Sequence, residues 1–144
     1  VNLLAGLLYD PAAAVTKNTT AALAMTALDT TNLRLTFTAP LSGRAYVRIS
    51  GGAIHGATTY PQIMVGLLSG ASVVARQVPT VTINGTAVAT TFGAVFTEFV
   101  VTGLTPGASL TWDLAYSVET IVAATGWKYG GANDTTVNNA FGGI

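Results

Sequence analysis

Residues 33–50 read LRLTFTAPLSGRAYVRIS, two runs in which apolar and polar side chains alternate one for one around a Pro-Leu-Ser-Gly corner. Leu33, Leu35 and Phe37 share one side of the first run, opposite Arg34, Thr36 and Thr38. Ala45, Val47 and Ile49 repeat the pattern in the second, opposite Tyr46, Arg48 and Ser50. Side chains of a strand point alternately to its two faces, so a period of two predicts a pair of half-buried antiparallel strands. A helix would scatter the same residues around its circumference. Whatever fold the chain adopts must bury one side of this pair.

The pattern continues along the chain. Gly51-Gly52 marks a break, and residues 53–59 beyond it read as a bulged strand or a loop. Ile63, Val65 and Leu67 alternate, while Met64 and Leu68 make the other face of that run apolar too, as suits a buried strand or a subunit contact. Asn84-Gly85 is a hairpin signal, because both positions tolerate φ > 0. In residues 94–101 the face carrying Val95 and Phe99 is the core candidate. After the connector GLTPG at 103–107, residues 109–118 set Leu110, Trp112, Leu114, Tyr116 and Val118 on one face. Residues 121–124 and 127–129 extend the β reading, and 130–144 is mostly Gly and Asn with Val137, Phe141 and Ile144 as anchors. Short alternating runs, closely spaced turns and no long helical pattern predict an all-β antiparallel sandwich of jelly-roll type.

Before these strands comes a different kind of sequence. Residues 1–14, VNLLAGLLYDPAAA, carry Leu3, Leu4, Leu7, Leu8 and Tyr9 with one charge. Helical spacing is present, but Gly6 and Pro11 weaken any helix there. We expect residues 1–28 to form an attachment arm and residues 29–144 the sandwich domain. Two readings of the arm stay open: it lies on a neighbouring subunit or partner, or it closes one end of its own sandwich. A weak apolar segment at 21–28 and a turn at 29–32 lead into the first strand pair.

Charged residues make up 8% of the 144, against about 25% in typical soluble domains, and hydrophobic residues reach 50%. Six acidic and six basic side chains cancel, so no net field recruits nucleic acid. A small monomer with so few charges is poorly protected against association. Much of the surface is therefore expected to be covered in an oligomer, a surface of Thr, Ser, Asn and Gly being the plainer alternative. No cysteine is present, which removes disulfides and thiolate metal sites. The apolar stretch at the start is too short for a bilayer, and no membrane span is expected.

Nothing in the sequence assembles a catalytic set. His55, the one histidine, falls in an expected loop and has no serine or cysteine partner at diagnostic spacing. Asp10, Asp29, Glu98, Asp113, Glu119 and Asp134 are scattered; Glu98 and Asp113 are placed to pair with Arg34, Arg48 or Arg76. No phosphate loop and no EF-hand ligand pattern occurs. The chain is expected not to be an enzyme and to need no metal or cofactor. Tyr60, Trp127 and Tyr129, near glycines and proline, form a candidate aromatic surface patch, suited to carbohydrate or to an interface.

The order of NLRLTFTAPLSGRAYVRISG, then FVVTGLTPGASLTWDLAYSVE, then WKYGG resembles the small TNF/complement-type jelly-roll domains of tailed bacteriophages, found in head decoration proteins, head fibres and minor tail proteins. The resemblance covers residues 33–131; the GLTPG turn also resembles fibronectin type III domains, which are shorter and lack the arm. It implies a homotrimer, with Phe37, Tyr46, Phe99, Trp112 and Tyr116 in core or trimer packing, and it transfers no catalytic residue. The function it implies is a virion structural protein, a capsid decoration (cement) protein on the outside of a phage head. Its partners would be copies of itself and the major capsid protein, with Leu3, Leu4, Leu7, Leu8 and Tyr9 as the attachment arm. The alternative is a minor tail or fibre adhesin on the virion tail, recognising host surface glycan through Tyr60, Trp127 and Tyr129.

Overall fold

The structure is a computed structural model, and it describes residues 3–18, 24–56, 63–77, 91–118, 126–131 and 140–144. The strands among them, in chain order, are β1 (Val15–Asn18), β2 (Thr26–Ala27), β3 (Arg34–Thr38), β4 (Arg44–Gly56), β5 (Ile63–Ser69), β6 (Ser72–Gln77), β7 (Thr91–Thr102), β8 (Ser109–Val118) and β9 (Gly126–Tyr129). They form two antiparallel sheets, one ordered β1-β9-β4-β7 and the other β2-β8-β5-β6, with β3 also paired to β8. β2 and β3 follow one another along the same side of β8, at Tyr116–Ala115 and then from Asp113 to Ser109. The chain is all-β, a sandwich of two sheets.

The core lies between the sheets and is drawn from the faces that the alternation marks. Ala45 and Ile49 of β4, Ile63, Val65 and Leu67 of β5, Val95 and Val101 of β7, and Trp112, Leu114, Tyr116 and Val118 of β8 are all buried in it. Phe37 and Trp112 meet edge to face, with ring centroids 4.7 Å apart, a geometry the ring quadrupoles favour. β8 is buried from Trp112 to Val118 on both faces, and within its sheet it is flanked by β5 on one side and by β2 and β3 on the other. Gly66 of β5 lies so close to the backbone of Ala75 that no Cβ fits between them.

Several expectations change. Residues 3–14 contain no helix. The boundary between arm and sandwich does not fall at residue 28: β1 pairs with β9 from Val15 onward and β2 pairs with β8, so the arm is residues 3–14. Strand pairing supplies a partner for the polar Val15–Asn18 segment that its own sequence does not advertise. Gly51-Gly52 is a bulge inside one thirteen-residue strand, with the β4–β7 register shifting between Ser50 and Ala53, and not a break. Accordingly His55 is a strand residue, its backbone opposite both Phe92 and Gly126. The Asn84-Gly85 hairpin, residues 121–124, Tyr60 and Val137 lie outside the described residues.

Candidate functional site: the open flank of the sandwich

The bulge divides β4 into two halves with different surroundings. Beyond it, Ala53, Ile54 and His55 pair with β9 on one side and with β7 on the other. Before it, Arg44 to Ser50 pair, among the described residues, with β7 alone. The reason is length: β1 and β9 have four residues each, whereas β4 has thirteen. The β1–β9 flank therefore runs out at the bulge. Opposite this flank β3 is, among the described residues, itself an edge strand, and there the two sheets stand apart along one side.

A cleft of about 790 Å³ fills that gap. Leu35, Phe37 and Trp112 line it from one sheet and Ala45, Val47 and Ile49 from the other. Residues 3–8 cross its mouth. They cross without sealing it: Leu3 is 84% and Leu8 79% exposed, and Leu4 and Leu7 are each 44% exposed. Among the described residues they make no backbone hydrogen bond to β4. The arm touches the core through Ala5 and is tied by backbone hydrogen bonds at Tyr9 and at Pro11, whose carbonyl accepts from Gly131. Tyr9 exchanges two backbone hydrogen bonds with Ile144, 2.8 and 3.0 Å, and its ring sits 6.2 Å from that of Tyr129. A strand edge with unpaired N–H and C=O groups is a template for pairing with further chain.

The outer face of β4 and β7 adjoins this edge. Tyr46 stands opposite Val100, and both are 57% exposed; Arg48 stands opposite Glu98. Arg48 Nε lies 3.8 Å from a Glu98 carboxylate oxygen, and the guanidinium sits 5.0 Å over the Phe96 ring. The Tyr46 hydroxyl donates to Glu98, and that hydrogen bond raises its pKa above the ordinary tyrosine value. The pairing of Glu98 with Arg48 was one the alternation foresaw. So was Asp113 with Arg34: Arg34 Nε and Nη2 bind the two carboxylate oxygens at 2.6 and 2.9 Å, across the β3–β8 register pair. Asp113 is buried while Arg34 reaches solvent, so the fork both neutralises the carboxylate and pins β3 to β8.

The closed half of β4 overturns the aromatic patch. Trp127 is 0% and Tyr129 1% exposed, so neither can present a ring to a sugar. The Trp127 indole N–H donates to the Gly51 carbonyl at 3.2 Å. Gly52, at φ +62, leaves the room: a Cβ there would lie 2.5 Å from both that indole nitrogen and the Lys128 carbonyl. Gly130 likewise lies against Pro11, where a Cβ would be 2.5 Å from the proline ring. The glycines around WKYGG mark close approach rather than an exposed turn. Burial, with the nearby Asp29 carboxylate and Tyr9, pushes the Tyr129 hydroxyl up to about 12.

Of the residues expected in core or trimer packing, Phe37, Trp112 and Tyr116 are core and Phe99 packs half-buried against it. Tyr46 is not core; it belongs to the outward set of its own alternation. Leu3, Leu4, Leu7 and Leu8 are exposed as a group, and Tyr9 is half-buried. Among the described residues no three metal-ligating side chains come together. The sequence missed the cleft, which arises from unequal strand lengths, whereas the turn expected at 29–32 is present and is held by Asp29. There the carboxylate accepts from the Thr31 and Asn32 backbone N–H groups and the Asn32 amide, the last of these doing most to lower its pKa. Compared with family models, with curated proteins and with solved structures, the chain matches none of them.

Proposed function

We propose that this chain is a virion structural protein, a trimeric jelly-roll module that decorates the outside of a bacteriophage head and braces its shell. The observation that carries the proposal is the open flank. Four leucines on residues 3–8 stand in solvent beside an unpaired strand edge and an apolar cleft, in a chain that is only 8% charged. Soluble proteins seldom leave a contiguous apolar surface of this size uncovered, and such surfaces mark sites of association.

The strand order supports the jelly-roll reading. With β2 and β3 counted as one interrupted strand, the sheets run first-eighth-third-sixth and second-seventh-fourth-fifth, the order of two interleaved Greek keys. The phage assignment rests on the resemblance of the three sequence stretches. Attachment would work by burial of the arm and by avidity, since a trimer offers three arms to a lattice at once. Cryo-electron microscopy of the native particle tests it. Density at the local symmetry axes of the head is expected, and density confined to the tail would replace it with the adhesin reading.

A further inference from the structure

We propose that the cleft on the open flank is filled by residues 3–8 of a second copy, laid along Arg44 to Ser50 as an added strand of the β1-β9-β4-β7 sheet. The proposal deepens the trimeric reading and rests on its self-association.

Donor and acceptor match in length. Six extended residues span about 20 Å and the seven residues of the free edge about 23 Å. They match in chemistry as well. As a strand, Leu3, Ala5 and Leu7 fall on one face and Leu4, Gly6 and Leu8 on the other. One face would enter the cleft beside Phe37, Val47 and Trp112. The other would extend the outer surface of Tyr46 and Val100, which the cleft lining already reaches through Tyr46, Arg48 and Ser50. A segment apolar on both faces is only partly used by an arm that leaves Leu3 and Leu8 in water. It suits a strand with covered surface on either side.

In its own chain the arm does not do this. It is held at Tyr9 by Ile144 and touches the core through Ala5, yet Leu3 and Leu8 stand in solvent and residues 3–8 make no backbone hydrogen bond to β4 among the described residues. Its four leucines leave on the order of 500 Å² in water, more than half of what one partner of a stable interface buries. The free edge offers main-chain hydrogen bonds and the cleft offers side-chain pockets, the two components of strand addition. Because arm and cleft are different surfaces, such contacts run head to tail and close into a ring when the rotation allows. A threefold ring uses up every arm and every free edge.

The chain has no cysteine, so introduced thiols report cleanly. Leu7→Cys and Ser50→Cys are placed on separate copies, one of them tagged, mixed, and treated with a short thiol-to-thiol cross-linker. A second pair, Leu4→Cys with Arg44→Cys, covers a shifted register. The expected result is a tagged-to-untagged product from at least one mixture, and covalent species larger than one chain when both cysteines of that pair share a chain. Cross-linking confined within single chains that still sediment as trimers overturns the arm exchange and leaves the trimer standing. Trimers with no product from either pair do the same. A monomer whose cleft takes up an apolar dye overturns both.

Discussion

The two halves of β4 share one strand, yet they end in opposite conditions. Beyond the Gly51-Gly52 bulge the strand is paired on both sides, and Trp127 and Tyr129 are sealed beneath it. Before the bulge it is paired, among the described residues, on one side, and its inward residues face a cleft bordered by exposed leucines. The first half carries the alternation and the second, GGAIHG, does not, yet both are strand. What differs is whether a neighbouring strand is long enough to reach. The closed half holds the sandwich together, and the open half is where the proposed assembly takes place.

If that division is right, substitutions should separate the halves by the size of their effect on the fold. The largest effect is expected from Trp127→Ala, which empties a site of 0% exposure and removes the hydrogen bond to Gly51; a loss of about 4 kcal/mol in denaturant unfolding is expected. A loss below about 1 kcal/mol would mean that the closed half is not the anchor. Next comes Arg34→Ala. It strands the buried Asp113 carboxylate without its fork and should lower stability in denaturant unfolding, less than Trp127→Ala does, whereas Arg34→Ala with Asp113→Leu should recover much of the loss.

Tyr129 gives a smaller effect with a pH signature. Its folded pKa, about 12, lies above the unfolded value of 10.0, so the folded chain holds this proton more tightly. The resulting stability is fully present below pH 10 and is lost as pH rises through 12, about 3 kcal/mol in all. Unfolding curves of Tyr129→Phe should lack this alkaline component; an unchanged pH profile would place the hydroxyl in water. Smallest of all, Leu4→Ser with Leu7→Ser on the open half should move the stability of a single chain by no more than about 0.5 kcal/mol. A large loss there would show that the arm is part of the chain's own core.

What could be read from the sequence follows from which forces are local. The alternation at 33–50 and 109–118 identified β3, the first half of β4, β8 and their core faces, because side-chain direction in a strand depends on neighbours in sequence alone. It also placed Arg34 with Asp113 and Arg48 with Glu98 as candidates for pairing, since each lies on an outward set. β1 escaped notice because Val15–Asn18 is polar and becomes a strand only by pairing with β9, more than a hundred residues away. Trp127 and Tyr129 were misplaced for a related reason. Glycines next to aromatics suggested a loop, whereas they supply the clearance that lets rings and backbone close together. The open flank had no sequence signal at all, because it depends on the difference in length between strands distant in the chain. The arm did announce itself, through four leucines and a single charge in fourteen residues.

The measurement that bears most directly on the open half is sedimentation equilibrium of the full chain over a wide concentration range, beside a Leu4→Asp, Leu7→Asp variant. The account predicts three chain masses for the unaltered protein and one for the variant, with the β-sheet circular dichroism of the two alike. A single chain mass for the unaltered protein at every concentration would contradict it.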